Sequence, residues 1–192
     1  MELEKIKEKV LDCQRCDLYK TKINYVFGDG NLNADIVFIG EAPGMHEDKQ
    51  GIPFVGRAGN ILNDLLNSIN LKREDIYICN ILKCRPPKNR NPTSNEIQAC
   101  TPFLMEQLNI IKPKIVCTLG NYSTKFILNH FGLKDKIEGI SKLHGKIFTI
   151  TNLYQNIILI PIYHPAVIAY NPYMKNALLE DFKVLKKVMN EK

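Results

Sequence analysis

Four short runs rich in Ile and Val constrain this chain more than any other feature. They are Ala34–Gly40 (ADIVFIG), Asp75–Asn80 (DIYICN), Lys114–Gly120 (KIVCTLG) and Asn156–Tyr163 (NIILIPIY). Continuous apolar runs of this length are the pattern of strands buried on both faces of a parallel sheet. Helical periodicity lies between them, over Ala58–Ile69, Ser94–Ile111, Tyr122–Phe131 and Lys175–Met189. Alternating strand and helix predicts an α/β fold: three layers, α/β/α, around a central, mostly parallel four-stranded sheet. A further run, Gly145–Leu153, alternates polar and apolar residues and suits an edge strand or hairpin arm. The 192 residues contain no repeat, low-complexity tract or Gly/Ser linker, so one domain over residues 1–192 is expected.

No apolar run reaches the ~18 residues that a membrane span requires. The opening MELEKIKEKV reads as a charged helix without the apolar centre of a secretory signal, so a cytoplasmic protein is expected. In that compartment six cysteines point to metal binding or catalysis rather than disulfides. Cys79 and Cys117 lie inside strand runs and read as core thiols. Cys13 and Cys16 form C-x-x-C, and Cys84 and Cys100 follow with 15 residues between them. Four thiolates so spaced suit a structural zinc or an iron–sulfur cluster. The excess of 26 basic over 20 acidic residues leans towards a polyanionic partner.

In a parallel sheet, ligands bind outside the carboxyl ends of the strands. The first run ends in Gly40-Glu41-Ala42-Pro43-Gly44, which continues through Met45, His46 and Glu47 to the motif GIPFVGRAG with Phe54 at its centre. This is a long Gly/Pro-rich loop, and such loops are often functional. Alone, Phe54 is better explained by the core than by a stacking platform. The second run ends in Asn80, whose amide offers a donor beside an acceptor. The last run enters His164-Pro165, and the proline holds His164 extended. Lys83, Arg85, Lys88 and Arg90 crowd KCRPPKNR around Cys84 and suit phosphate contacts. The sequence lacks a G-K-[ST] ending that would make a nucleotide-binding loop of GRAG.

Taken together, GEAPG followed by ED, GIPFVGRAG, the strand-end Asn and HP resemble the family 4 uracil-DNA glycosylases, the iron–sulfur branch of that superfamily. The likeness runs from Cys13 to the His164 loop. It implies a [4Fe–4S] cluster on Cys13, Cys16, Cys84 and Cys100. It implies a uracil pocket of Gly40, Glu41, Ala42, Phe54, Asn80 and His164. Glu47 falls where the family holds a side chain near C5 of the base, with Met45 or His46 as alternatives for that wall. Family 5 carries leucine at the place of Glu41, and the classical enzymes carry aspartate at the place of Ala42. Glu41 is then the nearest candidate to orient water or stabilise a cationic sugar, and His164 to stabilise the leaving base. The resemblance implies a monofunctional enzyme that flips deoxyuridine from DNA and leaves an abasic site. After His164, Tyr170 is the expected wedge into the DNA, with Ile168 second. A monomer is expected. The C-terminal ALLEDFKVLKKV offers a face to a sliding clamp, although core packing explains its stripe better. Two rivals fit part of the pattern. A nucleic-acid-binding module with a structural metal accounts for the cysteines and the basic loop, and a small redox protein accounts for the cysteines alone.

Overall fold

In the computed structural model, which describes residues 2–151 and 156–191, the Ile/Val runs form the centre of one sheet. Its strands are β1 (Asp29–Gly30), β2 (Ile36–Gly40), β3 (Tyr77–Asn80), β4 (Ile115–Leu119), β5 (Phe148–Thr151) and β6 (Asn156–Ile162). Their spatial order is β1-β3-β2-β4-β6-β5. The central four, β3, β2, β4 and β6, are parallel. β1 and β5 close the two edges antiparallel. The sheet is therefore wider than the four strands expected. β1 has two residues, too few to leave a periodic signature. β5 buries Ile150 between exposed Thr149 and Thr151, which is the alternation of an edge strand. The last two residues of that run, Asn152 and Leu153, lie outside the described residues.

The helices are α1 (Glu2–Leu11), α2 (Met45–Gln50), α3 (Arg57–Ser68), α4 (Ser94–Ile111), α5 (Asn121–His130), α6 (Ile140–Leu143), α7 (Val167–Tyr170) and α8 (Lys175–Asn190). α3, α4, α5 and α8 are the four helices whose period is legible between the strand runs, and α1 is the charged helix of the opening residues. α4 begins at a capping box: Thr93 Oγ1 accepts from the Glu96 amide, and the Glu96 carboxylate accepts from the Thr93 amide.

Successive strand residues face opposite sides of a sheet, and here that parity builds two cores. Val37 and Ile39 pack with Val10, Phe103, Leu104 and Ile127, beneath α1, α4 and α5. Ile36 and Phe38 pack with Leu62, Leu66, Phe182 and Leu185, beneath α3 and α8. The result is the expected three-layer arrangement. Cys79 is buried in the first core and Cys117 in the second. The apolar stripe of α8 (Leu178, Phe182, Leu185, Val188) is buried, so core packing accounts for it. Among the described residues, no helix is long and apolar enough to cross a membrane. The parallel order brings the carboxyl ends of β2, β3, β4 and β6 to one edge.

Candidate active site and cysteine cavity

That edge opens into a cleft of ≈ 730 Å³. Glu41, Ala42, Phe54, Asn80 and His164 line it, and Glu47 joins them from α2. Gly40 pairs in register with Asn80 across β2 and β3. A Cβ on Gly40 would lie 2.3 Å from Asn80 Oδ1 and 2.8 Å from the Phe54 ring, so only glycine lets these two side chains meet there. Asn80 is 2% exposed. Its Oδ1 is buried and has no hydrogen-bond partner. A buried, unpartnered acceptor is expensive, and a donor arriving in the cleft would satisfy it.

The Phe54 ring lies 5.7 Å from the imidazole of His164, tilted by 33°. Phe54 is buried and takes a left-handed backbone at φ 53. Its carbonyl is pressed onto α3, where a Cβ on Gly59 would stand 1.8 Å from it. The stretch that reads as loop in the sequence also contains α2. Six residues between an extended Gly44 and a left-handed Gly51 are too few to leave a helical period. α2 carries Glu47, whose Oε1 accepts from the amides of Val55 (3.0 Å) and Gly56 (2.8 Å). Its neighbour Asp48 is buried and accepts from the amides of Ile23 and Asn24. Met45 and His46 are exposed at the cleft mouth.

His164 Nδ1 accepts from the Ala166 amide at 3.2 Å. A nitrogen that accepts carries no proton, so the neutral ring holds its proton on Nε2. Burial pushes the imidazole down to about 4, only partly opposed by the Glu47 carboxylate. The ring is therefore neutral at pH 7. Burial also pushes the Glu41 carboxyl above its ordinary value. Gly120, after β4, backs this group: a Cβ there would stand 3.1 Å from His164 Cβ. The sequence carried no signal for Gly120, because its importance lies in a contact across the sheet.

The basic loop divides. Lys83 corrects the expectation of a phosphate contact: it is 1% exposed, and its Nζ donates to the Asn80 carbonyl at 2.8 Å. The chain turns inward after β3, so the lysine follows the strand into the core instead of the loop into solvent. Arg85 is half-buried and donates to Asn89 Oδ1 at 2.7 Å. Lys88 is exposed. Arg90 borders the cleft and forms a two-pronged pair with Glu96 at 2.9 and 2.5 Å. Tyr170, at the end of α7, also borders the cleft and is 87% exposed. Ile168, the second wedge candidate, is partly buried against the α3/α8 core.

On the α1/α4 side of the sheet, Cys13, Cys16, Cys84 and Cys100 line one apolar cavity with Val10, Leu82 and Phe103. Residues far apart in the chain thus converge. The Lys83 amide donates to Cys100 Sγ at 3.2 Å, and Tyr25 Oη donates to the Cys13 carbonyl at 2.6 Å. Burial raises the thiols of Cys16 and Cys84, and that of Cys100 to about 11. Among the described residues, no three His, Cys, Asp or Glu side chains are placed to hold one metal ion.

The Uracil DNA glycosylase superfamily is the family whose model matches this chain, over residues 27–185. Relatives named type-4 uracil-DNA glycosylase match nearly end to end. That of Archaeoglobus fulgidus is 44% identical over 99% of this chain and 94% of its own. That of Sulfurisphaera tokodaii is 46% identical over 97% and 84%, respectively. A type-5 uracil-DNA glycosylase of Thermus thermophilus is 31% identical over only 56% of this chain.

Proposed function

The chain belongs to the type-4 branch of the uracil DNA glycosylase superfamily, and on that premise we propose that it flips deoxyuridine out of DNA and hydrolyses its N-glycosidic bond. The observation that carries the reading is the unpartnered Asn80 Oδ1 beside the Phe54 ring. Uracil brings an N3–H donor to that acceptor, and cytosine brings a lone pair. Phe54 stacks the base. Gly40 and Ala42 leave it room, and Glu47 walls the side that a thymine methyl would occupy.

Bond cleavage leaves an oxocarbenium-like sugar and a uracil anion. The Nε2–H of neutral His164 donates to O2, where negative charge collects near the transition state. Glu41 orients water or stabilises the cationic sugar. No lysine nucleophile is used, so the product is an abasic site and the strand stays intact. Arg85, Lys88 and Arg90 hold phosphates. Tyr170 fills the gap left by the flipped base; its exposure at the cleft rim supports this. The enzyme acts on uracil-containing DNA as a monomer.

Cys13, Cys16, Cys84 and Cys100 would hold a [4Fe–4S] cluster. Their convergence on one apolar cavity supports this. The cluster would staple the N-terminal segment to the start of the basic loop.

The test is to incubate the protein with a uracil-containing oligonucleotide and then treat with alkali. Strand breakage only after alkali is expected. Its absence with cluster-loaded protein sinks the reading. In the same assay Tyr170→Ala should excise more slowly from duplex, and an unchanged rate and DNA affinity would refute the wedge.

A further inference from the structure

We propose that Arg73 is a positioning residue for base recognition, acting through Phe54 from outside the cleft. The proposal rests on the reading of Phe54 as the surface on which the base stacks. Arg73 opens the short 3₁₀ turn Arg73–Asp75 that leads into β3, and it is not among the residues that line the cleft. Its Nη1 donates to the Phe54 carbonyl at 2.9 Å, and its Nη2 donates to the Pro53 carbonyl. Its Nε donates to Asp29 Oδ2 at 3.0 Å. The guanidinium is thus engaged along its whole fork, and its side chain is only 24% exposed.

The two carbonyls belong to a segment with a left-handed backbone. Phe54 sits at φ 53, a region that bulky L-residues avoid because Cβ crowds the following carbonyl. Such a conformation persists only where the surroundings over-determine it. Here they press from two sides. Arg73 holds the carbonyls of Pro53 and Phe54, and the bare Cα of Gly59 lets α3 approach the Phe54 oxygen. The left-handed turn aims the ring at Gly40 and towards His164.

The anchor is tied to the element that reads the base. Asp29 lies in β1, opposite Ile78 of β3, and β3 ends in Asn80. Arg73 therefore references the stacking ring to the same strand that presents the amide. With the fork removed, two carbonyls lose their donors and the backbone can relax to negative φ, which carries the ring off the base. Lysine cannot substitute, because a single ammonium lacks the planar fork that spans two carbonyls and a carboxylate.

The experiment measures inhibition by free uracil, binding to abasic-site DNA and thermal melting, all on holoprotein. The proteins are wild type, Arg73→Met, Arg73→Lys, Phe54→Ala and the Arg73→Met/Phe54→Ala double variant. Arg73→Met and Arg73→Lys should each weaken uracil inhibition by about 10-fold, with abasic-site DNA binding held within about 2-fold. In the Phe54→Ala background Arg73→Met should weaken uracil no further, because both changes remove the same interaction. If Arg73→Met does not fold, Asp29→Asn loosens the same fork and should weaken uracil inhibition about 3-fold. Losses that simply add in the double variant overturn the proposal, as does unchanged uracil inhibition with a lowered melting temperature. A Phe54→Ala protein as sensitive to uracil as wild type defeats the platform reading itself, and the proposal with it.

Discussion

One backbone amide decides what His164 can do. The Ala166 N–H occupies Nδ1, so the proton sits on Nε2 and the ring enters the cleft as a neutral donor. His164→Ala should retain DNA binding and lose about 10²–10³ in single-turnover excision, the usual effect of removing one such donor. The same ring carries a pH signature. Its folded value of about 4 lies below the ordinary 6.5. Between those two values the unfolded chain binds a proton that the folded chain refuses, so stability falls as pH drops from 6.5 towards 4. The loss is on the order of 3 kcal/mol, at about 1.4 kcal/mol for each pH unit between the two values. Denaturant unfolding of wild type and His164→Gln at about pH 7 and about pH 4.5 checks this: the wild type should lose more stability between the two. His164, Glu41 and Asn80 were legible in the sequence because each follows or ends a strand run. The lock on Nδ1 was not, since it depends on the turn made after Pro165. Lys83 reads like its neighbours in KCRPPKNR, and nothing local distinguishes the one that turns inward.

Among the elements, the segment from Glu41 to Arg57 was the hardest to read. Its glycines and prolines marked a loop, yet it contains α2 and presents Glu47 to the amides of Val55 and Gly56. Strands and long helices carry their period for several residues, and α2 is shorter than two full turns of helix. What shapes this segment is contact with α3. Gly59 lies within that helix, where glycine normally destabilises, and is there because the Phe54 carbonyl oxygen occupies the space of a side chain. Gly59→Ala should therefore reverse the usual helix preference. It should destabilise by about 1–3 kcal/mol and slow excision, as thermal denaturation and single-turnover rates would reveal. A gain in stability with an unchanged rate would show that the loop moves aside freely.

For the whole molecule, the question is how two sites share one short run of chain. Asn80 ends β3 at the cleft, and Cys84 lines the cysteine cavity. Between them Lys83 donates its backbone N–H to Cys100 Sγ and an Nζ proton to the Asn80 carbonyl. A cluster on the four cysteines would then support the strand end at Asn80 as well as close the N-terminal segment onto α4. Cys84→Ala should lose visible absorption, melt at lower temperature and bind free uracil more weakly. A variant that is colourless yet melts and binds uracil like wild type would separate the two sites.

The sequence by itself determined the four parallel strands, the alternating faces of the two cores and the positions of Glu41, Asn80 and His164. These follow from period and punctuation along the chain, which are local. Tertiary structure alone decided that Cys13 and Cys16 meet Cys84 and Cys100, that Asn80 Oδ1 is left unpartnered, that Lys83 is buried and that Arg73 grips Phe54. Each of these depends on how segments far apart in the chain come to lie together. Such contacts exist only once the sheet order brings the segments together, so no window of neighbouring residues records them.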